Sequence, residues 1–121
     1  MHNYEKLKVY NNAMTLTEEV YIYSRSFPAD ERFGLTSQLR RAAVSVPSNI
    51  AEGCGRSTDK DTAHFFSIAL GSAFEVDTQL RLAQRFGYGD CNQLTRKTKS
   101  IGMQIVAIRK FILSRKSEIT I

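Results

Sequence analysis

The chain has 121 residues, 42% of them apolar and 24% charged, with a net charge of +5, two cysteines and no tryptophan. That length suits one domain burying roughly two-thirds of the surface its unfolded chain exposes, and no run approaches the roughly 20 apolar residues of a membrane helix. The opening MHNYEKLKVYNN is polar and charged, unlike a secretion signal, so the expectation is a cytoplasmic chain without membrane contact. Two cysteines with no neighbour at metal-ligand spacing read as reduced thiols.

Residues 1–8, which include His2, read as a short arm. Val9, Ala13, Leu16 and Val20 then recur in fours and threes, with Tyr23 or Phe27 continuing the series, as on one face of a helix over about 9–26. Pro28 ends it, and PADERFG at 28–34 is a turn-rich connection.

In the next stretch Leu35, Leu39, Ala42, Val46 and Ile50 keep helical spacing on both sides of Pro47. A proline there removes one backbone donor and presses its ring on the Ala43 carbonyl, at a cost of about 3 kcal/mol. Because the phase survives, the expectation is one helix over 35–55, kinked at Pro47. A break at Val46 is the alternative, since a residue before proline disfavours the α region. One shoulder of this helix is polar, with Gln38, Arg41, Ser45, Asn49, Glu52 and Arg56; the other holds Val44, Pro47, Ala51 and Cys54, with Arg40 among them. The pattern fades at Gly53-Cys54-Gly55, where a glycine can take the left-handed conformation of a helix end.

Thr58 followed by Asp61 is a capping-box-like start for a third helix over 59–86. Gly87 stands where a C′ glycine belongs, with Tyr88 placed to touch Ala83. Asp90 with Gln93 opens a fourth helix over 91–117, whose Leu94, Ile101, Ile105, Ile108 and Ile112 share a face. Such spacing points to long, nearly antiparallel helices packed as in a coiled coil. The expected fold is all-α, an antiparallel up-down four-helix bundle forming a single domain.

The third helix has an apolar surplus. Phe66, Ala69, Ala73, Val76, Leu80 and Ala83 make its core stripe, yet Ile68, Gly71, Leu82 and Phe86 lie opposite, and Phe74 and Leu70 fill part of the remainder. A helix apolar all round is buried all round, whereas each helix of a lone bundle keeps an outer face wet. The surplus face is therefore expected against another subunit of a homo-oligomer.

LTSQLRRAAVSVPSNIAEG at 35–53 resembles the signature of the bacterial 23S rRNA intervening-sequence proteins, usually called four helix bundle proteins. The likeness continues through YEKLKVY at 4–10, FFSIALGSAFEVDTQL at 65–80 and FGYGD at 86–90. The resemblance implies a four-helix bundle assembled into a ring-like homo-oligomer, a pentamer in known relatives. The chain is also similar to the accessory protein of diversity-generating retroelements, which implies nucleic acid and a reverse transcriptase as partners. The family's name records where some members are encoded, inside an insertion in a ribosomal RNA gene, and not a ribosomal role.

Glu75 sits between Gly71 and Leu82 on the second apolar face. It reads as half of an ion pair with Arg40, Arg41 or a neighbouring subunit's arginine, because a buried carboxylate needs a partner; the alternative is a general acid or base. His64 follows Asp61 by three residues, but no motif places a nucleophile with it, and a metal on His64 and Cys54 lacks two ligands. The chain is accordingly read as a non-enzyme with no cofactor and no metal. GCGR at 53–56 lacks the strand and the Gly-Lys-Ser/Thr of a P-loop. Arg56 and Lys60 beside the first amides of the third helix are a phosphate contact or a solvated basic pair.

Basic charge gathers late in the chain: between 91 and 117 there is no acid, while Arg96, Lys97, Lys99, Arg109, Lys110, Arg115 and Lys116 all fall there. With a sequence pI near 9.4 this makes a field that attracts polyanions. Arg96, Lys97 and Lys99 stand near a helix start, where the dipole disfavours cations. Arg115 and Lys116 agree with the dipole. The first functional expectation is a homo-oligomer binding RNA or an RNA–DNA hybrid through these surfaces, repeated around a ring. The alternative is a structural or protein-interaction scaffold whose charge is incidental.

Overall fold

The computed structural model describes residues 3–119, with side chains through residue 115; His2 and the Lys116 side chain lie outside the described residues. Among the described residues there are four α-helices and no strand: α1 Lys8–Ser24, α2 Leu35–Cys54, α3 Asp59–Arg85 and α4 Asn92–Ile119. None of these helices is long and apolar enough to cross a membrane. The most extensive contact joins α2 to α3, α4 packs on α3, and α1 closes the bundle between α2 and α4. Ser45 meets Ser72 and Gly53 meets Thr62 across α2 and α3, while Ala63 meets Arg109 and Asp59 meets Arg115 across α3 and α4. Numbers that rise along one helix fall along its neighbour.

The residues at helical spacing are the ones that fill the middle. Leu16, Leu39, Ile50, Phe66, Leu80, Ile105 and Ile112 are fully buried. Aromatic rings close the two ends. Tyr4 sits in a 3₁₀ turn, Tyr4–Lys6, and meets the Tyr10 ring edge-on at 4.9 Å, so this part of the expected arm is packed on the core. At the other end Phe27 lies 5.4 Å from Tyr23 and 5.1 Å from Tyr88, centroid to centroid.

α2 runs unbroken through Pro47, which sets aside the alternative break at Val46. The Ala43 carbonyl, which Pro47 has no N–H to serve, accepts the Thr17 hydroxyl of α1 at 3.0 Å. The end of α2 differs from the sequence expectation. Gly53 lies inside the helix, and Gly55 caps it at φ −87°, without the left-handed turn. Gly53 is needed for close approach: a Cβ there would stand 3.0 Å from the Phe65 Cβ and 3.1 Å from the Phe66 ring.

α3 starts and stops as its local signals direct. The Thr58 hydroxyl accepts the Asp61 N–H at 3.1 Å. Gly87, at φ +83°, allows the Tyr88 N–H to reach the Ala83 carbonyl and its own N–H to reach that of Gln84, the paired bonds of a Schellman ending.

Candidate functional site

The basic residues of α4 do not form one cluster. Lys97 turns toward α1 and holds the Glu19 carboxylate at 2.6 Å, so its charge is paired within the subunit. Arg109 turns toward α3 and donates to the Ala63 carbonyl at 3.2 Å, and Arg115 pairs with Asp59 at 2.8 Å. Helical phase sends Lys97 and Arg109 to the flanks of the core face, where both are half-buried and engaged within the subunit. Arg96, Lys99 and Lys110 remain on the outer side of α4, all three exposed. The lysines have no partner among the described residues, and Arg96 bonds only back to the Asn92 carbonyl at 3.4 Å.

Lys99 and Lys110 rim a groove of about 580 Å³ between α3 and α4, floored by apolar residues that include Leu70, Gly102 and Val106. Phe74 and Met103 stand exposed on its walls. At the joint between α2 and α3, Arg56 is held by Glu52 at 3.5 Å and its guanidinium stacks over the Phe65 ring at 4.5 Å. Lys60 is exposed in the first turn of α3. Glu52 is exposed in the subunit, where it partners Arg56.

The polar shoulder of α2 lies along the seam with α3. Asn49 donates to the Ser45 carbonyl at 2.8 Å and lies 2.9 Å from the Ser45 hydroxyl, which meets that of Ser72 at 2.8 Å. Farther along, Gln38, Arg41, Glu75 and Gln79 line a shallow groove, and the Gln79 carbonyl oxygen is buried without a partner among the described residues. Glu75 is exposed in the subunit and makes no ion pair among the described residues. Arg40 cannot serve it. Its guanidinium points to α1, where it donates to the Ser24 hydroxyl at 2.8 Å and stacks over Tyr21 at 4.5 Å.

The second apolar face of α3 is uncovered. Ile68 is 40% exposed, Leu82 39% and Phe86 55%. Gly71 is also exposed, and a Cβ placed there would meet nothing within 4 Å. These residues form one strip beside the α2 seam.

Sequence reasoning missed a second cationic surface, on α1, α2 and the turn between them. Arg32, Arg40 and Arg41 line a groove of about 700 Å³ together with Tyr21 and Phe33. Its signal was the density of arginine near an aromatic in ERFGLTSQLRR, but the grouping depends on how α1 lies on α2.

Burial pushes the thiols of Cys54 and Cys91 up, with Asp90 adding to the effect at Cys91, which disfavours the nucleophilic thiolate. His64 is exposed and meets only the Phe65 ring edge among the described contacts. Among the described residues no group of three or more His, Cys, Asp or Glu could hold a metal ion.

Residues 5–107 match the family described as 23S rRNA-intervening sequence protein. No curated protein matches the sequence. In fold, the chain is similar to the crystal structure of a protein with unknown function from the S23 ribosomal protein family of Bacteroides thetaiotaomicron VPI-5482, with a TM-score of 0.75 and 21% identity over 84% of this chain and 98% of that one. Identity at that level speaks to the fold alone. With 103 consecutive residues covered, from 5 to 107, this chain belongs to the 23S rRNA-intervening sequence protein family.

Proposed function

We propose that the chain is a non-enzymatic homo-oligomer that binds nucleic acid through basic rows repeated around the assembly. The observation that carries this reading is the uncovered strip Ile68, Gly71, Leu82 and Phe86 on a helix whose opposite stripe already fills the core. Exposed apolar side chains gathered on one helix face, here with Glu75 among them, mark an interaction site. Arg96, Lys99 and Lys110 supply the cations, and one subunit offers too few for tight binding. Five copies, the number the family resemblance implies, multiply the contacts by avidity.

A scaffold without nucleic acid, such as an accessory subunit of a reverse transcriptase, is the second reading. It is favoured by the cations already engaged inside the subunit: Lys97 by Glu19, Arg56 by Glu52 and Arg115 by Asp59. Titration of labelled duplex RNA at several salt concentrations separates the two. Nucleic-acid binding gives affinity that falls steeply with salt and drops further when Leu82→Gln loosens the assembly. Absence of binding at low salt leaves the scaffold alone.

A further inference from the structure

Phe33 is 86% exposed, the most exposed of the large apolar residues described. It stands in the turn before α2, at the edge of the α1–α2 groove. An isolated aromatic in water costs free energy unless something stacks on it. Its surroundings say what that something is. The Arg32 guanidinium lies 5.3 Å from the Phe33 ring centroid. Arg40 is held over the Tyr21 ring by bonds to Ser24 and to the Tyr21 carbonyl, so its charge is fixed in place. Arg41 has no partner among the described residues.

No carboxylate lines this groove; the hydroxyls of Thr36 and Ser37 do. The nearest acid in sequence, Glu31, is turned away, accepting the Tyr88 hydroxyl at 2.7 Å and the Leu35 N–H at 3.1 Å. The groove therefore presents three guanidinium groups, hydroxyl donors and an open aromatic face to one occupant. Cations favour an anion, and a π-face favours a planar ring. An acidic peptide would satisfy the first and leave Phe33 idle. A duplex would satisfy the first and keep its bases inside the stack. An unpaired nucleotide satisfies both, with its phosphate on arginine and its base on the ring.

We infer that the α1–α2 groove is a site for single-stranded nucleic acid, with Phe33 as the stacking platform and Arg32 and Arg41 as the phosphate contacts. This goes beyond the proposed binding by the α4 row, which attracts any polyanion and reads no base.

Because the chain has no tryptophan, Phe33→Trp places a single tryptophan, excited apart from the tyrosines, at the site. It is titrated with an oligouridine of roughly ten nucleotides, long enough for a site of this class, with the same strand annealed to its complement, and with inorganic polyphosphate. Saturable quenching by the single strand alone is expected. In anisotropy titrations Phe33→Ala should lower single-strand affinity about tenfold and leave duplex affinity unchanged. Quenching equal with polyphosphate, or a Phe33→Ala variant that binds the single strand as tightly as the unmodified chain, overturns the inference. If duplex binding persists in either case, the α4 reading stands without it; if no nucleic acid binds at all, both fall.

Discussion

The Thr17 hydroxyl on α1 lies 3.0 Å from the Ala43 carbonyl oxygen on α2, the acceptor left open by Pro47. The same hydroxyl is 2.8 Å from the Ala13 carbonyl, so its one hydrogen is shared between a bond within α1 and a bond across to α2. Ala43 is fully buried, and no water can take the hydroxyl's place without cost. Thr17→Val should destabilise the subunit by about 1–3 kcal/mol, the range for an orphaned buried acceptor. In a Pro47→Ala background, where residue 47 can serve Ala43 itself, the same change should cost less. A double-mutant cycle by urea denaturation measures the difference, and additivity of the two changes would contradict the pairing.

Glu31 links the α1–α2 turn to the α3–α4 turn through the Tyr88 hydroxyl, 2.7 Å away, and accepts the Leu35 N–H as well. The Tyr88 bond and then the Leu35 bond hold its carboxyl below the usual carboxylate value, and the Tyr88 phenol is raised in return. A depressed carboxylate contributes stability above its unfolded pKa and loses it as pH falls through the folded one. The stability gap between the unmodified chain and Glu31→Gln should therefore be larger at neutral pH than at strongly acid pH. At the alkaline end the sign reverses. Burial first, then Cys91 and Asp90, push the Tyr23 phenol to about 12, so its contribution is complete below pH 10 and fades as pH climbs toward that value.

Two helix-interior glycines should respond to alanine in opposite directions. Gly53→Ala drives a methyl against Phe65 and Phe66, which forces α2 from α3 and should cost about 1–3 kcal/mol. At Gly102 the first atom met is the Leu70 Cδ1 at 3.6 Å, ordinary contact, so Gly102→Ala should gain up to about 1 kcal/mol from helix propensity. Urea midpoints of the two variants check both signs.

Charge removal should discriminate between neighbours on α4. Lys99→Met and Lys110→Met are each expected to reduce the slope of log affinity against log salt by roughly one, as for a lost phosphate contact. Lys97→Met should leave that slope alone and cost the subunit up to about 1 kcal/mol, since its ammonium is engaged by Glu19. Equal slopes for all three variants would contradict the assignment of an outer row.

What could be read from the sequence was what one helix decides by itself. The core stripe of α3 and the Thr58 and Gly87 signals are local, and the Pro47 helix showed through its unbroken phase. Pairings across the bundle could not be read. Lys97 finds Glu19 across 78 positions, and Arg40 turns to Tyr21 and Ser24 rather than to Glu75, because the rotation of each helix about its axis is set by packing. Gly53 shows the same limit: its place in the sequence suits a helix end, while its use is the close contact with α3. The α1–α2 groove escaped for the related reason that Tyr21 and Arg41 become neighbours only in the folded subunit.

The exposed strip on α3 is most directly tested by the mass of the particle in dilute buffer, measured by light scattering on a size-exclusion column. The expected mass is a whole-number multiple, two or greater, of the 13.7 kDa subunit, collapsing to one subunit when Ile68→Glu and Leu82→Glu are combined. An unmodified, folded chain eluting at 13.7 kDa would contradict it, because Ile68, Leu82 and Phe86 would then stay exposed with no subunit to cover them.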